Sequence, residues 1–136
     1  MAAVLEPLLA ECAALMAGLR SLPSHRWAAP TRCSPWDVRE LLAHVRVVLG
    51  RVPAMLSDPA PARALVSAAG YYRPDARFSS AANADRVALA RSSAGVAPLA
   101  SFEATVNEVA SACRAAPSGR VVRTRHGDAM LLDDSW

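Results

Sequence analysis

The chain has no lysine: all fifteen of its basic residues are arginine. It also lacks any run of about twenty apolar residues, which excludes a membrane-spanning helix read from the sequence. No arginine-led leader precedes the apolar start, and Glu6 and Glu11 interrupt it, so no secretory signal is expected. Cysteine is scarce and scattered, at Cys12, Cys33 and Cys113. An odd number without disulfide spacing suits a reducing compartment, and the cytoplasm is the expected location. No block of like charges occurs, and no zinc-finger or RNA-binding motif is present. The net charge of +3 therefore belongs to arginines dispersed over a solvated surface, and no nucleic-acid partner is expected.

What is present favours helices. The 136 residues have room for one domain and one core, and 53% of them are apolar. Alanine and arginine both rank high in helix propensity. Val4, Leu5, Leu8, Cys12, Leu15, Met16 and Leu19 recur at three- and four-residue steps, one face of an amphipathic helix. Pro7 fits that helix in its first turn, and Leu22-Pro23 ends it. After a connector containing Trp27 and Pro30, Ser34-Pro35-Trp36-Asp37 reads as a helix start, with Ser34 as cap and Pro35 at the first helical position. Val38, Leu41, Leu42, Val45, Val48, Leu49 and Val52 form the face of this second helix, and Pro53 should kink or end it.

Residues 57–79 read as a long connection, with a short helix within the alanines from Ala60 to Ala69. Ser79 or Ser80 caps a third helix through Asn83, Asp85, Val87 and Leu89. Gly95 and Pro98 interrupt it before Leu99, Phe102, Val106, Val109 and Cys113, so one kinked helix and two in series both fit. Pro117-Ser118-Gly119 terminates the pattern. Val121-Val122-Arg123-Thr124-Arg125 and Ala129-Met130-Leu131-Leu132 flank a Gly127-Asp128 turn and predict a small hairpin that must pack on the helices. Asp133-Asp134-Ser135 then offers three cap residues in a row before Trp136.

Trp27, Pro30-Thr31, Cys33, Trp36-Asp37-Val38-Arg39-Glu40-Leu41 and His44 together form a recognisable pattern. So do Tyr71-Tyr72-Arg73-Pro74-Asp75, Asn83-Ala84-Asp85-Arg86-Val87 and the run from Val122 to Met130. On these segments the chain resembles the mycothiol-dependent maleylpyruvate isomerase family, in its N-terminal metal-binding domain, which is related to DinB-like four-helix bundles. The resemblance implies a mainly α fold: an incomplete DinB-like bundle of about three long helices with a short C-terminal β-hairpin, over residues 1–136. It implies one divalent metal, usually zinc, held by a histidine on the second helix and by a glutamate and histidine four apart on the fourth. The first ligand maps onto His44. The family pattern continues past Leu131-Leu132-Asp133-Asp134 into a long helix, so the expectation is a chain without that helix and without two of the three ligands. It further implies mycothiol as cofactor, whose thiolate adds to the cis double bond of a small carboxylated substrate such as maleylpyruvate, permits rotation and leaves.

From position alone, His44 is a border histidine one turn from Leu41 and Val48, and the resemblance makes it the metal ligand. Glu40, four residues earlier, can face the same way, with Cys33, His126 or a second subunit as a third donor; a solvated carboxylate paired with an arginine is the plainer reading. His25 has no partner at metal spacing. Trp27 and Trp36 either line a pocket beside His44 or pack as core. Asn83, Asp85 and Arg86 read as a cap and a helix-spanning pair. Arg123, Arg125 and His126 either meet an anion or form the charged face of a hairpin edge. An open side of the bundle is expected to be covered by a homodimer. The alternative to a metal-binding domain is a non-catalytic helical remnant or a protein-interaction module.

Overall fold

The computed structural model describes residues 2–73, 75, 76 and 79–134. Pro74 of the Tyr71–Asp75 segment, and the helix start anticipated at Ser135-Trp136, lie outside the described residues.

Helix α1 spans Ala2–Arg20 and buries Leu5 and Cys12, with Leu8, Met16 and Leu19 packed beside them. Pro7 lies inside it, one turn later than expected. The missing N–H removes one ladder bond near the start of the helix, where few bonds depend on it. A 3₁₀ turn over Ser24–Ala28 follows, and a bridge between Pro30 and Asp37 closes the connector. Within that closed loop the Thr31 N–H and hydroxyl both donate to the Trp36 carbonyl, at 3.1 and 2.8 Å.

Helix α2, Val38–Leu49, starts three residues later than Ser34-Pro35 suggested. Its cap is Asp37, whose Oδ1 accepts from the Glu40 N–H at 2.7 Å, while the Asp37 N–H donates to Glu40 Oε2 at 3.2 Å. That reciprocal pair satisfies two exposed donors, which Ser34 could not do without a glutamate three residues on. Ser34-Pro35 instead forms a turn closed by the Trp36 N–H on the Cys33 carbonyl. Gly50 separates α2 from α3, Arg51–Ser57, so the helical path continues through Pro53, which occupies the first turn of the new helix.

The α-helix within the long connection is α4, Ala68–Tyr71, capped by Ser67 and later than the Ala60–Ala69 stretch expected. The strand-like stretch before it is held by the hairpin, the Leu65 and Val66 N–H groups both donating to the Ala129 carbonyl. The next segment resolves into two helices in series. Helix α5, Ser80–Ser93, is capped by the Ser79 hydroxyl, and α6, Pro98–Ala115, has Pro98 in its first turn. Gly95, at φ 57°, makes the reversal between them. Strands β1, Val121–Arg123, and β2, Ala129–Leu131, pair antiparallel with Val122 opposite Met130.

The fold is mainly helical with a short C-terminal hairpin, as expected from the sequence. Helix α6 packs between α1 and α2, and α2 also packs on α5. Phe102, Val109 and Cys113 of α6 are almost fully buried, as are Val122 and Met130 of the hairpin, so the two strands gain their stability from the helical core. Cys12 and Cys113 lie unpaired in that core, and Cys33 is exposed. No helix among the described residues is long and apolar enough to cross a membrane.

Candidate functional site

A cavity of about 520 Å³ opens between α1, α2, α3, α5 and the hairpin, a size suited to a small molecule. Its inner wall is apolar: Leu8, Val48, Leu49, Val52, Met55 and Met130. Three arginines, Arg51, Arg86 and Arg125, share it with His44, His126 and the tyrosines Tyr71 and Tyr72. No aspartate or glutamate lines it among the described residues.

The helical register brings most of this together. His44, Val48, Arg51 and Met55 are four, three and four residues apart, one stripe that runs from α2 into α3 across Gly50. The backbone is tight there: a Cβ on Gly50 would stand 3.3 Å from the Arg46 carbonyl oxygen. Arg86 arrives from α5, where its guanidinium donates to Asn83 Oδ1 one turn earlier. The hairpin turn supplies Arg125 and His126. Buried Thr124 anchors that turn, its hydroxyl accepting from the His126 N–H at 3.3 Å and its N–H donating to the Asp128 carbonyl at 2.8 Å. Gly127, at φ 89°, completes the reversal.

The ring of His44 stacks on Trp36, centroids 4.4 Å apart and planes 24° from parallel. Burial, then the charges of Arg51 and Arg86, lower the His44 pKa below its ordinary 6.5, so the imidazole is neutral at pH 7. Arg51 is likewise pushed below its ordinary value, by burial first and then by Arg125, with Arg86 adding to this and Tyr71 opposing it. It remains a cation, because a guanidinium does not lose its proton at neutral pH. The cavity is therefore a region of positive potential with an apolar interior.

The metal expected from the resemblance finds no site among the described residues. No group of three histidine, cysteine, aspartate or glutamate side chains is placed to hold an ion among them. Glu40 is engaged at both oxygens, by Arg91 Nε at 2.9 Å and by its own helix cap, which is the plainer of the two readings of that residue. Arg125 Nε donates to His126 Nε2 at 2.9 Å, which occupies the nitrogen lone pair that a metal would need. Cys33 and His25 do not line the cavity. A catalytic zinc takes three protein ligands; here one histidine faces three guanidinium groups, and the described residues do not fit a dication.

Of the residues singled out from the sequence, His44, Arg86, Arg125 and His126 converge on the cavity, and Trp36 stands behind His44. Arg86 thus has a part beyond the helix-spanning pair expected of it. Arg123 does not join them; it donates to the Gly127 carbonyl at 3.1 Å on the exposed strand face. Trp27 packs against the core. Arg51 lies within the stretch expected to be helical but carries no motif of its own. The three- and four-residue spacing from His44 through Arg51 to Met55 is the signal that would have found it.

No curated protein and no solved structure matches the chain. The model of one protein family, the mycothiol maleylpyruvate isomerase N-terminal domain, matches residues 8–136. That span takes in every wall of the cavity. The chain belongs to the mycothiol maleylpyruvate isomerase N-terminal domain family.

Proposed function

We propose that this chain is the substrate-holding domain of a mycothiol-dependent isomerase of the maleylpyruvate type, acting in the cytoplasm, and that its cavity binds a small carboxylated molecule. The observation that carries this reading is the meeting of Arg51, Arg86 and Arg125 in one cavity that no described carboxylate lines. Guanidinium groups held close together repel one another, and a carboxylate placed between them relieves the repulsion while accepting paired hydrogen bonds. Partial burial strengthens that attraction, since fewer waters screen it.

Mycothiol, implied by the family name, supplies a thiol nucleophile when bound. The residues present suit a thiol. Neutral His44 is able to accept its proton, and the three guanidinium groups favour the resulting thiolate, as cations lower thiol pKa values generally. A divalent metal at His44, the other part of the family expectation, rests on the family relation alone, since no group of three donors is found among the described residues.

Calorimetric titration with maleate tests the carboxylate reading. Saturable one-to-one binding, absent with the uncharged maleate dimethyl ester and weakened about tenfold or more in Arg51→Gln, is expected for a lost charge-assisted contact. A correctly folded chain that takes up neither compound, or both alike, sinks the proposal.

A further inference from the structure

The cavity's polarity is graded. Its most hidden residues are Met130 at 0% exposed, Val52 at 5%, Thr124 at 6% and Leu49 at 8%, three of the four apolar. Arg51 and Arg86 are half-buried, while Arg125 and His126 at the hairpin turn are exposed. The cations thus lie outward of a floor made mostly of aliphatic and thioether carbons, with the Thr124 hydroxyl as its polar group. A short dicarboxylate meets only half of this arrangement. One end would be matched by arginine, but the other would have to shed its water against Leu49, Val52 and Met130 with one hydroxyl, that of Thr124, and no cation to replace it, a costly burial. An apolar chain or ring in that position gains about 0.8 kcal/mol for each methylene removed from water.

We infer that the ligand for which this cavity is built is an amphipathic monocarboxylate, with an aliphatic or aromatic body of several carbons against Leu49, Val52 and Met130 and its carboxylate between Arg51, Arg86 and Arg125. This rests on the carboxylate reading above and narrows it: one charged end, one apolar end, and an orientation fixed by the gradient. About 520 Å³ leaves room for a body well beyond the few carbons of maleate. Met55 and Met130, unbranched and adaptable, suit an apolar surface that accommodates bodies of differing shape.

Calorimetry on the full chain with octanoate below its micelle concentration, octan-1-ol and maleate tests this. Octanoate is expected to bind one-to-one and about tenfold or more tighter than maleate, since a few buried methylenes supply that factor. Octan-1-ol, with the same body and no charge, should be weaker than octanoate by a similar factor. Arg51→Gln should weaken octanoate about tenfold, and the exposed Arg125→Gln serves if the first variant unfolds. Val48→Ser should weaken octanoate about threefold, while Val96→Ser, fully exposed and outside the cavity, leaves it unchanged. Maleate binding as tightly as octanoate, or more so, overturns the inference and leaves the carboxylate reading standing. Octan-1-ol matching octanoate removes the charged end from it. If maleate does not bind, the carboxylate reading falls, and the inference that rests on it falls too. A dimer that octanoate neither enters nor dissociates, seen by light scattering, also overturns the inference and assigns the cavity to a second copy.

Discussion

His44 stands where burial, a stacked indole and two guanidinium groups all act on one imidazole. Burial and then the charges of Arg51 and Arg86 disfavour the protonated ring, and burial contributes most. The group should therefore titrate below 6.5 in an NMR pH series, and Arg51→Gln should move its midpoint back up. The sign for stability follows. A folded pKa below the unfolded one means that the unfolded chain binds more protons in the interval between them. The contribution of His44 is fully present above pH 6.5 and is lost as pH falls through that interval to the folded pKa. Chemical denaturation of wild type and His44→Asn between neutral and mildly acidic pH should show the shallower pH dependence in the variant. Equal slopes would mean that the imidazole is not depressed.

At the scale of elements, caps and breaks do more than propensity. Helix α2 carries the functional stripe, and its start is set by the Asp37–Glu40 box, whose Glu40 also reaches Arg91 of α5. Asp37→Ala should cost about 1 kcal/mol, a fall in melting temperature of about 3–5 °C for a domain of this size. Ser34→Ala, at the position that first reads as the cap, should change the melting temperature by much less. The reverse ranking would place the functional cap at Ser34. A break matters as much between α2 and α3. There Gly50 and Pro53 interrupt the sequence pattern yet leave the path helical, and Arg51 lands two turns beyond His44 on the same face.

For the molecule as a whole, α6 is the centre of the packing. Phe102, with 0% exposure, lies in the core cluster that joins α1, α2, α3 and the hairpin. Phe102→Ala should lose about 3–5 kcal/mol in denaturant unfolding, and because the hairpin depends on that core, the cavity should go with it. Near wild-type stability in that variant would mean that the core is organised elsewhere. Charge at the same scale opposes a dication. Zinc-treated chain, dialysed and analysed by mass spectrometry, should hold well under one ion per monomer, equally in His44→Ala. Stoichiometric zinc lost with His44 would overturn this and show His44 to be a metal ligand.

Local patterns were enough for the helices, the hairpin and its turn, and the burial of Cys12 and Cys113, because periodicity, caps and glycine report short-range geometry. They also singled out His44, through the family's local pattern around Trp36 and Leu41, and His44 lines the cavity. They were not enough for the boundary at Asp37, where two cap candidates three residues apart differ only in whether a reciprocal partner lies within reach. Nor could they assemble the cavity, whose walls come from Leu8 to Met130. The convergence of Arg51, Arg86 and Arg125 depends on how α3, α5 and the hairpin turn pack around one space. That juxtaposition has no signature in any single stretch of chain, and tertiary packing alone produced it.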